Sequence, residues 1–179
     1  MQRENVSKLV LDAPSMERAV VRMAHEILEQ NKEIPDLALV GIQRGGVILA
    51  NRLWKAIEAI SKTKLPLGTL DINLYRDDLT RVAEQPVIRK TDIHFPIDNK
   101  IVILVDDVLY TGRTIRSALD ALIDFGRPKR MELAVLVDRG HRELPIRADF
   151  VGKNIPTSEK ELVHVRFTES DGKDEVIVK

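Results

Sequence analysis

Short apolar runs alternate along the chain with longer segments whose apolar residues recur every three or four positions. The clearest run covers residues 101–105, an unbroken aliphatic stretch typical of a strand that is buried on both faces of a parallel sheet. Comparable runs lie at residues 37–41, 66–75, 131–137 and 148–152. Because strands and helices alternate in order, the pattern predicts an α/β fold in which a mostly parallel sheet is flanked by helices.

Helical spacing marks the segments between these strands. Residues 12–31 should form the first helix, with Asp12 or Ser15 as its N-cap. The apolar stripe of that helix comprises Met16, Val20, Met23, Ala24 and Ile27. The helix after the glycine-containing loop at residues 41–46 carries an apolar face of Ala50, Leu53, Ile57 and Ile60. Two last runs, at residues 162–167 and 175–178, indicate a terminal hairpin, and one domain is predicted over residues 1–179.

The amino-acid composition of the chain excludes several kinds of ligand binding and catalysis. Aromatic residues make up only 4% of the chain, which argues against single-strand binding by rows of stacked rings. The formal net charge is zero, so any nucleic-acid site must be a local basic patch. The chain has no cysteine, which excludes disulfides, thiolate catalysis and cysteine-based zinc sites. No apolar run has membrane-spanning length and no signal-peptide pattern is present, so a cytoplasmic location is expected.

The segment from Lys100 to Thr114 carries the strongest chemical signal. Asp106 and Asp107 stand where the buried strand should end, and residues 111–114 open a helix. Ligands of open α/β sheets bind beyond the carboxyl ends of the strands, and a glycine-containing turn at a helix N-terminus suits a phosphate. The paired carboxylates suit ribose hydroxyls, or a hydrated Mg²⁺ that arrives with a phosphorylated ligand. The segment therefore predicts a sugar-phosphate site. The alternative without a ligand is that the two aspartates form only a solvated turn or a helix cap.

Two further stretches are candidates for the same site. Gln43, Arg44 and Gly45 follow the first core strand, and the guanidinium could meet a pyrophosphate bidentately. Residues 76–98 are polar and irregular, which is typical of an active-site lid, although a plain surface hairpin is the alternative. Arg76, beside two aspartates, favours the lid because a cation is needed to stabilise a departing pyrophosphate.

Residues 102–114 resemble the fingerprint by which type I phosphoribosyltransferases bind phosphoribosyl pyrophosphate (PRPP). Together with residues 71–79 and 137–158 they resemble the PyrR family of pyrimidine-operon attenuators, from the first helix to about residue 158. The resemblance implies a type I phosphoribosyltransferase fold with a lid at about 76–98 and a small C-terminal hood at about 138–158. It implies transfer of phosphoribose from PRPP to uracil with Mg²⁺, giving UMP and pyrophosphate. It also implies UMP- or UTP-promoted binding of a pyr leader mRNA hairpin, which favours transcription termination.

Position by position, the resemblance assigns roles to residues of the candidate site. Asp106 and Asp107 would hold the ribose hydroxyls, and Arg76 would act from the lid. The loop that binds pyrophosphate would comprise Gln43, Arg44 and Gly45. The segment that wraps the 5′-phosphate would comprise Val108, Leu109, Tyr110, Thr111, Gly112, Arg113 and Thr114. The residues that line the base pocket would be Asp138, Arg139 and Ile155. No residue is expected to bind the metal directly, because Mg²⁺ would be held through PRPP.

A basic surface is the predicted RNA site. Arg18, Arg22 and His25 recur at helical spacing on the polar side of the first helix, where a solvated face is the alternative. The hood would add Arg142, Arg147 and Lys153, either within one subunit or across a symmetric dimer, and a homodimer or higher homo-oligomer is expected.

The chain departs from the family pattern at Arg44-Gly45, where the family usually has Thr-Arg, and at Val21, where it often has threonine. Tyr110 favours uracil over purines, because purine-using relatives generally carry an acid there and tyrosine is a poor replacement at neutral pH. Three hypotheses remain open: a bifunctional regulator and enzyme, a salvage phosphoribosyltransferase without RNA binding, and a nucleotide-sensing regulator with little catalysis.

Overall fold

The computed structural model describes residues 7–73 and 91–179, in which the chain forms two β-sheets, four α-helices and a short 3-10 helix at Ile34–Asp36. The strands are β1 (Lys8–Asp12), β2 (Leu37–Ile42), β3 (Leu67–Leu70), β4 (Ile101–Leu109), β5 (Arg130–Asp138), β6 (Phe150–Asn154), β7 (Val163–Arg166) and β8 (Glu175–Val178). The helices are α1 (Ala13–Gln30), α2 (Gly45–Ser61), α3 (Arg113–Ile123) and α4 (Thr168–Asp171).

The larger sheet has five parallel strands in the order β3-β2-β4-β5-β6. This arrangement confirms the predicted α/β class. From β2 the chain crosses outward to β3, whereas from β4 it crosses in the opposite direction to β5 and β6. The strand order therefore reverses between β2 and β4, and a crevice forms at such a switch point, beyond the carboxyl ends of the two strands.

Helices cover both faces of this sheet. The face that carries Leu39, Ile103 and Val105 packs against α1 and α2, and the opposite face packs against α3. The predicted stripe of α1 is buried as expected. On α2 the prediction is wrong for Ile60, which is 37% exposed and lies one residue before the end of the helix at Ser61.

The second sheet has the order β1-β8-β7, with antiparallel pairing throughout. It confirms the predicted terminal hairpin, which α4 connects. The strand β1 was not predicted, because it runs into α1 without an intervening turn. Asp12 ends β1 and caps α1, since its carboxylate accepts a hydrogen bond from the Ser15 N–H at 2.9 Å.

Several predicted boundaries change in the structure. The strand β3 ends at Leu70, and residues 71–73 lie outside any strand, although the predicted strand covers residues 66–75. The strand β4 continues to Leu109, four residues past the predicted end, because it stays paired with β5 up to Asp138. The strand β6 is shifted toward the C-terminus and includes Lys153, which had been predicted in a loop. Residues 91–98 belong to the body of the fold rather than to a lid, since Asp92 pairs with Thr69 of β3 and Ile97 is fully buried. Arg76 and most of the predicted lid lie outside the described residues.

Candidate active site

The carboxyl ends of four parallel strands bring the predicted loops to one edge of the sheet. Gly41 of β2 lies opposite Val105 of β4, and Leu109 of β4 lies opposite Asp138 of β5, which in turn lies opposite Asn154 of β6. The segments that follow these positions therefore leave the sheet side by side. They contain the pyrophosphate loop, the fingerprint, the base-pocket residues and the end of the hood.

The fingerprint and the pyrophosphate loop are in direct contact. Asp107 shares the strand face of Val105, which packs toward α2. Its carboxylate oxygen Oδ2 lies 2.3 Å from the point where a Cβ at Gly45 would stand. A Cβ at Gly46 would stand 2.3 Å from the Val105 carbonyl oxygen. The two glycines thus let the start of α2 approach β4 more closely than any other residue type would allow.

The adjacent carboxylates are held by the backbone of their own strand. Asp106, which is 6% exposed, accepts a hydrogen bond from the Asp107 N–H at 2.9 Å. Asp107 accepts one from the Val108 N–H at 2.9 Å. Ionised carboxylates are hydrogen-bond acceptors only, so this pair of side chains has the chemistry that sugar hydroxyl groups require.

The turn between β4 and α3 has the geometry of an anion site. Gly112 is the N-cap of α3 and has φ +92°, a conformation that favours glycine. Gly112 has no side chain with which to cap this helix, and the first N–H groups of a helix have no acceptor within it. The Thr111 hydroxyl accepts from the Arg113 N–H at 3.3 Å. The turn therefore presents backbone donors and the positive end of the helix dipole to an anion.

The hood loop after β5 is hydrogen-bonded to this turn. The N–H of Glu143 donates to the Thr111 carbonyl at 2.9 Å, and its carboxylate accepts from the Arg113 Nε at 2.6 Å. Arg142 donates to the Tyr110 carbonyl at 2.7 Å. The conformation of the phosphate turn is therefore coupled to that of the loop after β5.

The guanidinium of Arg142 is hydrogen-bonded within the hood loop. Besides Tyr110 it donates to the Ile146 carbonyl at 3.0 Å and to the carboxylate of Asp138. Burial opposes ionisation of Asp138, but the hydrogen bonds from Arg142 and from the Gly140 N–H bring the net pKa of Asp138 below its ordinary value. The prediction that Arg142 contacts RNA is not supported by this geometry, because its guanidinium turns inward, and the side chain is only 22% exposed.

The base-pocket residues connect the loops after β4, β5 and β6. The Arg139 N–H donates to the Leu109 carbonyl at 3.1 Å, and the Ile155 N–H donates to the Asp138 carbonyl at 2.8 Å. The Arg139 guanidinium is buried and donates to the Ser158 carbonyl at 3.1 Å, while its Nε has no hydrogen-bond partner among residues 7–73 and 91–179. The structure thus brings together all the residues predicted for the base pocket.

The pyrophosphate loop places Arg44 at the surface of this edge. Arg44 is the N-cap of α2 and is exposed, and the peptide that joins it to Gln43 is cis. The Gln43 N–H donates to the Leu70 carbonyl at 3.0 Å, which ties the loop to β3. The loop therefore keeps its guanidinium on the solvent side, where an incoming ligand can reach it.

Besides Arg142, the predicted RNA surface has a second member with a structural role, Arg22. Arg22 donates to the Gly152 carbonyl of β6 at 2.5 Å and pairs with Glu26 at 2.6 Å. It therefore attaches α1 to the edge strand of the large sheet, beside Lys153. The remaining predicted members are exposed, namely Arg18, His25, Arg147 and Lys153.

Two site contacts gave no signal in the sequence. Glu143 supports the phosphate turn, and Thr157 bonds the loop after β5 through the Arg139 carbonyl at 3.1 Å. Each of the two residues bonds a backbone carbonyl of another loop, and backbone contacts leave no residue-type pattern. The charged residues 138–147 and the family resemblance of residues 137–158 pointed to this region, but not to these two contacts.

Within residues 7–73 and 91–179, no cluster of three or more acidic or histidine side chains could hold a metal ion by itself. Within the same residues, no helix is long and apolar enough to cross a membrane.

Comparisons with known proteins agree with this geometry. A family model described as the phosphoribosyl transferase domain matches residues 7–170. A protein of Caldicellulosiruptor bescii named bifunctional protein PyrR is 60% identical over 171 residues, which cover 96% of this chain and 94% of the relative. One of the same name from Thermus aquaticus is 59% identical over 167 residues, which cover 93% and 92%.

Solved structures give the same fold. A hypoxanthine phosphoribosyltransferase of Staphylococcus aureus has a TM-score of 0.71 at 25% identity and covers 95% of this chain and 90% of its own. That of Trypanosoma cruzi has a TM-score of 0.74 at 18% identity, with 99% and 94% covered. The predicted type I phosphoribosyltransferase fold is confirmed.

Proposed function

Because the chain belongs to the PyrR family of phosphoribosyltransferase-domain proteins, we propose that it both regulates pyrimidine biosynthesis and synthesises UMP. As an enzyme it transfers phosphoribose from PRPP to uracil and releases pyrophosphate. As a regulator it binds the pyr leader mRNA hairpin when UMP or UTP is bound, and so promotes transcription termination in the cytoplasm. The main structural support for the enzymatic activity is the contact between Asp107 and Gly45. It brings the carboxylate pair and the phosphate turn next to the loop after β2.

The carboxylates of Asp106 and Asp107 are proposed to accept hydrogen bonds from the two ribose hydroxyls. Positive charge develops on the ribose as the bond from its C1 to pyrophosphate breaks, and nearby negative charge stabilises that state. N1 of uracil forms the new bond to C1, and its proton passes to the departing pyrophosphate. The 5′-phosphate is held by the turn at Thr111 and Gly112, so the sugar is fixed from both ends.

The leaving pyrophosphate is proposed to meet Arg44, whose guanidinium is exposed at the same edge. Arg76, outside the described residues, is proposed to approach from the lid. Magnesium fits this donor set, because Mg²⁺ is usually bound by one or two carboxylates together with substrate phosphates and water. When bound with PRPP, the ion neutralises charge on the pyrophosphate.

The base is proposed to lie against Asp138, Arg139 and Ile155, whose contacts connect the three loops around the pocket.

RNA is proposed to bind the basic surface of α1 and the hood, where the exposed cations can contact phosphates. Arg22 supports this surface from within by fastening α1 to β6. The assembly is proposed to be a homodimer or a higher homo-oligomer.

A paired assay on one preparation tests both halves. UMP formation is measured from uracil, PRPP and Mg²⁺, and binding of the leader hairpin is measured with and without UMP. We expect turnover, and tighter RNA binding when UMP is present. Turnover without RNA binding would show that the protein is a salvage phosphoribosyltransferase and not a regulator. RNA binding without turnover would leave a nucleotide-sensing regulator, which is the outcome that the Arg44-Gly45 departure from the family pattern favours.

A further inference from the structure

The phosphate turn is joined to the hood loop through both backbone and side-chain bonds. The Thr111 carbonyl accepts hydrogen bonds from two N–H groups of the loop, that of Glu143 at 2.9 Å and that of Leu144 at 3.3 Å. The Glu143 carboxylate also accepts from the Arg113 Nε at 2.6 Å, and Arg113 is the first residue of α3. Both ends of the turn are therefore attached to one short segment of the hood loop.

The middle of the turn lies against the same loop. A Cβ at Gly112 would stand 3.4 Å from the side chain of Ile146 and 3.5 Å from that of Leu144, which are ordinary contact distances. Ile146 also packs against the apolar core on the α3 side of the sheet. A change in the turn therefore either moves Leu144 and Ile146 with it or breaks these contacts.

Arg147 is the exposed cation that directly follows this contact. It stands between Ile146, which lies against the turn, and Ala148, which is 7% exposed and belongs to the core. The backbone on both sides of Arg147 is thus anchored, and one of the two anchors is in contact with the phosphate turn. Arg147 is also a member of the basic surface proposed to bind RNA.

A phosphate bound at the turn would favour its present conformation. The first N–H groups of α3 have no acceptor within the helix, so an anion completes their hydrogen bonds while Gly112 keeps its φ of +92°. A ligand that favours one conformation of the turn also favours the loop conformation that is bonded to it. A cation on an ordered backbone loses less conformational entropy when it binds a partner.

We propose that Glu143 couples the phosphate turn to Arg147, so that a bound nucleotide orders the part of the RNA surface that lies in the hood. The inference rests on the proposed function, since it assumes that the 5′-phosphate of UMP binds the turn and that Arg147 contacts RNA. Glu143 acts here as a positioning residue. Its loss should reduce the effect of UMP on RNA affinity more than it reduces the binding of RNA alone.

The test measures the affinity for leader RNA with and without saturating UMP, and the ratio of the two affinities is the coupling. Allosteric couplings are typically about 5- to 150-fold, and we expect a ratio in this range for the parent protein. Glu143→Gln keeps the backbone N–H but loses the charge that pairs with Arg113, so the ratio should fall by about 2- to 5-fold. Adding Ile146→Ala removes the packing contact as well and should bring the ratio close to one.

Glu33→Gln is the matched control. Glu33 is paired with Lys129 at 2.8 Å, and it lies just before the amino end of β2, at the opposite edge of the sheet from the site. This variant also loses one carboxylate of an exposed ion pair, and it should keep the coupling ratio of the parent protein. Thermal unfolding identifies any variant that has lost its fold.

Hydrogen exchange, measured by mass spectrometry, gives a second readout that needs no RNA. In the parent protein UMP should slow exchange at the amides of Glu143 and Leu144, which bond the Thr111 carbonyl, and the effect should be smaller in Glu143→Gln. Unchanged exchange in a parent protein that binds UMP would overturn the proposed coupling.

The two failures can be told apart. A parent protein in which UMP raises RNA affinity, but whose ratio stays the same in Glu143→Gln and in the double variant, would overturn the role of Glu143 and leave the proposed function intact. A parent protein whose RNA affinity does not depend on UMP would contradict the proposed regulatory function, and the coupling with it.

Discussion

The carboxylate of Asp107 occupies the space that a side chain at Gly45 would need. The two residues belong to different loops, and their contact joins the proposed ribose site to the proposed pyrophosphate site. In the family pattern an arginine usually stands at this point of the loop. Glycine at position 45 therefore gives this chain a closer contact between loop and carboxylate, with the guanidinium moved to Arg44.

We expect Gly45→Ala to weaken productive binding of PRPP. The new Cβ would stand 2.3 Å from Asp107 Oδ2, so either the carboxylate or the loop must move. A displacement of about 1 Å in a positioned group can cost roughly 100-fold in rate, and we expect a loss of kcat/KM for PRPP of roughly 10- to 100-fold. The control is Gly68→Ala on β3, where the nearest atom is 3.1 Å away and far from the site. Equal kinetics for the two variants would show that the contact has no role.

Asp106→Asn and Asp107→Asn should each lower the affinity for PRPP. Each amide keeps an oxygen that can accept the backbone N–H now bonded to the carboxylate, so the fold should be preserved. The charge-assisted bond to a ribose hydroxyl is lost, which is worth about 1.5–3 kcal/mol. Calorimetric titration with PRPP and Mg²⁺ measures the loss. Unchanged affinity in both variants would remove the carboxylates from the ribose site.

Much of this site was predictable from the sequence, because the residue types and their spacing indicate particular strands, turns and ligand contacts. Apolar runs identified β2, β4 and β5, and the glycine of the phosphate turn has the positive φ that its place before α3 suggested. The end of β4 was predicted too early, since polar side chains at the end of a strand resemble a loop even when the backbone stays paired.

The internal roles of Arg22 and Arg142 could not be predicted. Both guanidiniums bond to backbone carbonyls, and the carbonyl bonded by Arg22 belongs to Gly152, 130 residues away in the chain. A carbonyl is present at every residue, so no residue type in the sequence marks it as a partner. Arginines at helical spacing therefore look alike whether they face solvent or fasten two elements together.

Gly112→Val should impair the phosphate turn through its backbone. The residue has φ +92°, and a β-branched side chain there costs about 1–3 kcal/mol. Thr111→Val removes one hydroxyl and keeps the carbonyl that Glu143 bonds, so its loss should be milder. The matched control is Gly172→Val, at φ +75° with open space around it. Both glycine variants should lose stability, but only Gly112→Val should lose PRPP affinity, as measured by titration.

The C-terminal sheet should loosen in acid. Asp174 bonds Arg52 at 2.7 Å, and this bond is the main cause that lowers the pKa of Asp174 to about 2, against partial burial. Because the folded pKa is below the unfolded one, the stabilisation is present above about pH 4 and disappears as the pH falls toward 2. We expect Asp174→Asn to lower the free energy of unfolding at pH 7 by about 1–2 kcal/mol, with a smaller difference at pH 2.5.

Denaturant unfolding at the two pH values measures this difference. Asp120→Asn is the control, because Asp120 is exposed and lies 3.9 Å from Arg116. A constant deficit of Asp174→Asn from pH 7 to pH 2.5 would mean that the carboxylate charge is not what stabilises this sheet.

The last prediction separates RNA contact from structural support on α1. Arg18 bonds only the Ser15 hydroxyl among described groups, at 3.0 Å, whereas Arg22 also fastens α1 to β6. Each phosphate contact should add about 0.7 to 0.9 to the slope of log affinity against log salt. We expect Arg18→Gln to reduce that slope by one contact while UMP synthesis and stability stay unchanged. Arg22→Gln should also reduce RNA affinity, but with a loss of stability of about 1–2 kcal/mol from its broken internal bonds.

Filter binding of the leader hairpin over a range of salt concentrations, beside denaturant unfolding, measures both effects. Arg147→Gln and Lys153→Gln, both at exposed positions, are expected to behave like Arg18→Gln. If all these variants keep the slope of the parent protein, the cations form only a solvated face and the RNA site must lie elsewhere. If Arg22→Gln alone loses affinity in parallel with stability, α1 supports the fold without contacting RNA.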